Sequence, residues 1–166
     1  MVIVHTDDGQ VLQLLRREPV GFWQSVTGSL NPGESPMKAA LREVREETGL
    51  EGGLGLTDAG FINRYPIHPA WRHEYAPNVM ENTEYVFHLA LPTICDISLS
   101  PEHVDSRWLP REAAAEAAGS DTDKAAILAL LPAAPRCKIP IHSPATRLSL
   151  RPAWPSPHSP TISIPT

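Results

Sequence analysis

Three carboxylates crowd one short stretch of this chain: Glu43, Glu46 and Glu47, in the run Arg42-Glu43-Val44-Arg45-Glu46-Glu47. On a helix, at about 100° per residue, Glu47 falls near 40° from Glu43 and Glu46 near -60°, so all three project from one edge. Like charges four residues apart weaken a helix by roughly 0.2–0.5 kcal/mol, and something should offset that cost. A hard divalent cation is the natural candidate, because Mg2+ takes oxygen ligands and binds through a few carboxylates together with substrate phosphates. The chemistry on offer is metal-assisted hydrolysis of a phosphate compound. Without a cation the same three acids are a solvated helix face, and the pattern by itself does not choose between the two.

The helix that positions them is well punctuated. Ser35 can cap it, Pro36 stands at the first helical position where its missing N–H costs nothing, and Gly49 follows the last turn. The same projection groups Met37, Leu41, Val44 and Thr48 at about 100° to 160° and Lys38, Arg42 and Arg45 at about -100° to -160°, giving an apolar face to dock on a sheet and a basic face. Around this helix, Val2 to His5 and Val11 to Leu15 read as a hairpin closed by Asp7-Asp8-Gly9, and Trp23 to Thr27 as a third strand. Phe61 to Tyr65, Tyr85 to Leu91, Ile97 to Leu99 and Val104 to Trp108 are further strand candidates, followed by helices over Arg111 to Ala118 and Asp123 to Leu131. Pro66 to Thr83 reads as a long irregular connection of the kind that tends to be functional. The order of elements implies an α/β (α+β) layered domain, a mixed β-sheet between α-helices.

Composition divides the chain near Leu131. Of 166 residues, 18 are proline, and half of these lie in residues 132–166. That segment has four Lys or Arg and no acid, whereas residues 1–131 carry all 19 Asp and Glu against ten Lys and Arg. The expected arrangement is one domain over 1–131 and a proline-rich, disordered tail over 132–166. A body this acidic argues against a nucleic-acid surface, which needs clustered cations. Cys95 and Cys137 have neither zinc-ligand nor disulfide-framework spacing, which fits a reducing cytoplasm. No signal-peptide pattern and no apolar run long enough to cross a bilayer is present, so no membrane partner is expected. Nothing in the sequence sets an oligomeric state.

The full segment Gly28 to Leu50, GSLNPGESPMKAALREVREETGL, resolves the ambiguity of the acidic edge. It resembles the box of the Nudix hydrolases at every position: Gly28, Glu34, Arg42-Glu43, an aliphatic Val44, Glu46-Glu47, Gly49 and an aliphatic Leu50. Seven fixed residue types, each with a frequency of roughly one in fifteen, match by chance in about one window in 10^8. The resemblance implies a Nudix fold, a bound Mg2+ or Mn2+, and cleavage of a nucleoside-diphosphate-like linkage. It also implies that Glu43, Glu46 and Glu47 are catalytic and hold the metal, that the Gly28 carbonyl is a further ligand, and that Glu34, Arg42 and Gly49 are structural within the box.

Two flanking stretches, FWQSVTGS from Phe22 and RHEYAPNVMENTEYVFHLALP from Arg72, extend the likeness to the bacterial dihydroneopterin triphosphate diphosphatases of folate biosynthesis. That resemblance implies a small-molecule triphosphate as substrate, with Glu102 as an additional metal ligand and Arg16, Thr27, Tyr65, Pro66, Ile67, His68 and Ser120 as substrate contacts. An arginine and several hydroxyls suit a triphosphate with a polar ring head. Two departures stand against it. Met1 falls inside what is the opening strand in the family, which removes a basic contact residue, and Asp121-Thr122-Asp123-Lys124 follows Ser120, bringing acid toward the expected triphosphate. The competing readings are a housecleaning nucleoside triphosphate pyrophosphohydrolase and a non-catalytic binding module of the same fold.

Overall fold

Alternation along the first strand decides which way the layers face. In β1 (Val2–Thr6), Val2 and Val4 point to one side and Ile3 to the other, and all three are buried, as expected for a strand covered on both faces. The structure is a computed structural model that describes residues 1–51, 53, 55–67, 72 and 75–133. Two units are distinguished, Met1–Pro135 and Arg136–Thr166. The second, with nearly all of the expected proline-rich tail, lies outside the described residues.

β1 turns at Gly9, whose φ of 83° suits a residue without a side chain, and pairs antiparallel with β2 (Gln10–Arg16). β3 (Trp23–Gln24), α1 (Pro36–Thr48), β4 (Leu56–Pro66), β5 (Glu81–Leu91), β6 (His103–Pro110), α2 (Arg111–Ala117) and α3 (Asp121–Leu130) follow. The sheet runs β3-β2-β1-β5-β4, with β6 also paired to β2. Among the described residues only β1 and β5 pair parallel, in the register Val2↔Phe87 to Thr6↔Leu91, so the sheet is mixed.

Each face carries its own core. On one side Val2, Val4, Leu12, Leu14, Phe87 and Leu89 pack with Ala40 and Val44 of α1. On the other, Ile3, Val11 and Val86 pack with Ala114 and Ala115 of α2 and Ala126 and Ile127 of α3. The mixed sheet between helices is therefore present as expected, with several local differences. Trp23 to Thr27 shortens to a two-residue strand, because the Ser25 N–H goes to the Asp123 carboxylate and Val26 makes only an isolated bridge with Val2. Ile97 to Leu99 forms no strand. Ser98 donates to the Thr48 carbonyl at the end of α1 (3.0 Å), while Ile97 and Leu99 pack against the α1-side core from an extended loop. The long irregular connection shrinks, since β4 and β5 pair as far as Pro66↔Glu81; residues 68–71, 73 and 74 within it lie outside the described set. α3 starts earlier than expected, at Asp121, capped by Ser120.

The docking face of α1 is also rotated from expectation. Its buried residues are Ala39, Ala40, Val44, Glu47 and Thr48, while Met37 is 36% exposed. Small alanines let the helix sit close to the sheet, and this turns the edge bearing Glu47 inward. Val44→Ala should lower unfolding free energy by about 2–3 kcal/mol through lost burial and a cavity. Met37→Ala should change it by less than about 0.5 kcal/mol. Urea unfolding midpoints of the two variants check the contrast, and equal losses would restore the face projected from sequence.

Candidate active site

The N-terminal cap and C-terminal stop of α1 fix the depth at which its acids enter the domain. Ser35 Oγ accepts from Lys38 N–H (3.4 Å), and Gly49, at φ 72°, returns its N–H to the Arg45 carbonyl (2.9 Å). A Cβ on Gly49 would also stand 2.9 Å from Ser98 Cβ, so the turn leaves no room for a side chain.

Glu47 is 5% exposed, and its Oε2 accepts the Thr27 N–H at 3.2 Å. Burial, seconded by the charges of Glu43 and Glu102, pushes its carboxyl up to about 8 against the pull of the Thr27 amide and of Arg16. Glu43 is half-buried beneath the loop before α1 and is likewise raised, first by burial and then by Glu46 and Glu102, with Arg42 pulling the other way. Gly28 is what makes that position possible, because a Cβ there would lie 1.9 Å from the Glu43 carboxyl. Glu46 is exposed.

On the outer side of this edge Arg42 works as a brace. Its Nε and Nη2 donate to the two oxygens of Glu34 (3.0 and 2.9 Å), and Nη2 also to the Ser29 carbonyl (2.9 Å). Nη1 donates to Glu43 Oε1 (2.6 Å) and Glu46 Oε2 (3.1 Å). Glu34 takes the Asn31 N–H in addition (3.0 Å), and Arg42 holds its carboxyl down at about 2. One guanidinium thus ties the loop that begins at Gly28 to the helix that follows it, in the fork geometry that arginine offers carboxylates.

Glu102 stands in the turn before β6, its carbonyl accepting from Arg17 N–H (2.8 Å), and its charge reaches both Glu43 and Glu47. Arg16, at the end of β2, gives its Nε to the Glu18 carbonyl (2.9 Å) and is the cation felt by Glu47. Among the described residues no three acids, histidines or cysteines converge on one point, and Arg42 holds oxygens of Glu43 and Glu46. The donor set nevertheless fits a divalent cation. Several carboxylates are close enough to raise one another's affinity for protons, and a hard cation answers that field as a proton does.

Beside Glu43 opens a cleft of about 270 Å³ lined by Thr27, Gly28, Tyr75, Asn82 and Glu84, among others. The expected contact residues divide. Thr27 is in its wall, next to Gly28, the expected carbonyl ligand, whereas Arg16, Tyr65, Pro66, Ile67 and Ser120 are not. The Tyr65 hydroxyl accepts from Asn82 Nδ2 (2.9 Å) and so supports a lining residue from behind. Pro66 ends β4 in register with Glu81, and Ile67 is buried. Ser120 Oγ accepts Asp123 N–H (3.2 Å) as the cap of α3. His68 lies outside the described residues. Asp123, read from sequence as acid brought toward a triphosphate, is instead 2% exposed and bonded to Ser25 N–H (2.9 Å) and Oγ (2.7 Å). Ser120 and Asp123 have the Ser-x-x-Asp spacing of a helix start, which signals the cap at Ser120 but not the reach of Asp123 to Ser25.

Two outcomes follow. Gly28→Ala should displace the Glu43 carboxylate, a flexible side-chain end, and lower turnover by about 100-fold while thermal stability changes little; a variant that keeps its rate would separate Gly28 from the chemistry. In protein free of divalent cations, Glu47 ionises near 4.5 when unfolded and near 8 when folded. Between those values the folded state keeps a proton that the unfolded chain has released, so stability should fall as pH rises from about 4.5 to 8. Glu47→Gln should flatten that slope in melts recorded with EDTA.

Comparison with known proteins places this geometry in context. Residues 1–131 match the family model described as the NUDIX domain. The dihydroneopterin triphosphate diphosphatase of Escherichia coli (strain K12) is 42% identical over 130 residues, covering 76% of this chain and 86% of that protein. The protein of the same name from Haemophilus influenzae is 33% identical over 136 residues, covering 76% and 82%. The solved structure of the E. coli dihydroneopterin triphosphate pyrophosphohydrolase superposes with a TM-score of 0.72 at 40% identity, covering 76% of this chain and 89% of that one.

Proposed function

The chain belongs to the Nudix family, and from that premise we propose that it is a Mg2+-dependent pyrophosphohydrolase of 7,8-dihydroneopterin triphosphate, acting in the cytoplasm in folate biosynthesis. Water adds across the α,β-anhydride, and the products are dihydroneopterin monophosphate and pyrophosphate. The observation that carries the hydrolase reading is the inward-turned acidic edge of α1, with Glu47 buried under the Thr27 amide and Glu43 pressed against Gly28. The pterin substrate is supported by likeness to named diphosphatases at 42% and 33% identity.

Glu43, Glu46, Glu47 and Glu102, with the Gly28 carbonyl, would hold the metal, Mg2+ or Mn2+. When bound, a divalent cation offsets the charge of the phosphates and makes water a better nucleophile at neutral pH. The protein's own groups do the rest. The Thr27 N–H fixes one oxygen of Glu47 and leaves the other free. A carboxylate of the cluster accepts the proton of the attacking water. Arg16 contributes positive charge on the β2 side and binds the triphosphate, with Thr27 in the cleft wall as a further contact. Arg42 is spoken for by Glu34 and the Ser29 carbonyl, so its part is to keep loop and helix in register.

Steady-state rates with dihydroneopterin triphosphate and with dATP test the reading. A kcat/KM at least about tenfold higher for the pterin, equivalent to some 1.4 kcal/mol, is the expected result. A clear preference for dATP would move the protein to nucleotide housecleaning. Glu47→Gln should reduce pyrophosphate release to background while leaving a folded protein, and undiminished release in that variant would reject the assignment of the acidic edge.

A further inference from the structure

Four consecutive features tie down the chain between β3 and the loop before α1, and two of them come from the start of α3. Gly119 N–H donates to the Trp23 carbonyl (2.7 Å), and the Asp123 carboxylate takes both the N–H and the hydroxyl of Ser25 (2.9 and 2.7 Å). Val2 N–H then donates to the Val26 carbonyl (2.8 Å), and Thr27 N–H donates to Glu47 (3.2 Å). Gly28, under the Glu43 carboxyl, comes next. A buried segment must place every backbone polar group, and here those placements aim the Thr27 amide at Glu47.

Asp123 is out of place as a surface acid. It occupies the third position of α3, where an acid in a Ser-x-x-Asp start ordinarily stays at the helix end and serves its capping. Here Ser120 Oγ caps the Asp123 N–H in the usual way, but the Asp123 side chain leaves its own helix and bonds across to Ser25. It is 2% exposed. Burying a carboxylate costs several kcal/mol unless donors meet it, and two do, with the N-terminal end of α3 adding a favourable field. A carboxylate retained at such cost for a segment that leads within three residues to Glu47 and Gly28 has a purpose beyond packing α3.

We propose that Asp123 is a positioning residue of the metal site, acting through Ser25: it clamps the strand end so that the Thr27 N–H orients Glu47 and Gly28 receives Glu43. The inference rests on the reading of Glu43 and Glu47 as metal ligands. Outer partners that orient metal ligands change affinity by about 10- to 100-fold when removed. Asp123 thereby joins α3, on the far face of the sheet, to the acids of α1.

The test is Mn2+ binding to the full-length protein without substrate, by electron paramagnetic resonance, for wild type, Ser25→Ala, Asp123→Asn, Asp123→Ala and the double variant Ser25→Ala/Asp123→Ala. Thermal melts and kcat and KM at saturating metal accompany it. Asp123→Ala should weaken Mn2+ binding by about tenfold or more. Asp123→Asn, which keeps an acceptor for the Ser25 amide, should recover part of that loss, and the double variant should be no worse than Asp123→Ala alone. KM at saturating metal should stay near the wild-type value. Ser25→Ala retains the buried acid and its amide bond, so it provides a folded comparison with an intermediate loss even if Asp123→Ala is too unstable to measure. Wild-type Mn2+ affinity in folded Ser25→Ala and Asp123→Asn, with only the melting temperature lowered, would overturn the proposal and leave Asp123 as a packing residue. Because the readout needs no substrate, a wrong pterin assignment would not alter the comparison among variants.

Discussion

A carboxylate set into the wall of the domain is the constraint from which the rest of this structure follows. Glu47 lies almost fully buried with one amide donor, Thr27 N–H, on one of its oxygens. One hydrogen bond does not offset the loss of hydration of an ionised carboxylate, and the neighbouring charges of Glu43 and Glu102 make matters worse. The protein holds this arrangement through local geometry. Alanines at 39 and 40 let α1 approach the sheet, and a glycine at 28 leaves space for the Glu43 carboxyl. In the proposed reading a divalent cation completes the balance, and the site becomes electrostatically comfortable on binding it.

Arg42 illustrates how the acidic edge is kept from collapsing before that happens. It is the one guanidinium shared by Glu34, Glu43 and Glu46, and its bidentate pairing with Glu34 is independent of the two acids it touches by its other nitrogen. It can release Glu43 and Glu46 and still hold the loop against the helix. The fork of an arginine allows that division of labour, whereas a lysine would have to choose. Seen from the other side of the sheet, α3 makes a comparable tether through Asp123, so that the segment Ser25 to Gly28 is held between two helices of opposite layers.

The sequence was most legible where local chemistry is decisive. Ser35, Pro36 and Gly49 mark the ends of α1 because caps and φ > 0 positions depend on the nearest few residues, and the first hairpin was readable from Asp7-Asp8-Gly9 for the same reason. The box residues, their spacing and the layered fold were legible as well. What escaped depended on contacts far apart in the chain. An ideal helical projection gives Met37 and Leu41 the core face along with Val44, but the sheet takes Ala40 beside Val44 and leaves Met37 36% exposed. Ile97 and Leu99 have strand-like character, yet Ser98 between them pairs with the end of α1. Asp123 looked like unwanted charge near a phosphate site because its partner, Ser25, is 98 residues away. The cleft's lining from Asn82 and Glu84 likewise follows from β4–β5 pairing that the irregular stretch between them concealed.

The most direct measurement of the whole account is 31P NMR of the products formed from 7,8-dihydroneopterin triphosphate, with Mg2+ and with EDTA. The account predicts pyrophosphate and dihydroneopterin monophosphate in equal amounts, formed only when Mg2+ is present. Release of orthophosphate, or the same products in EDTA, would contradict it.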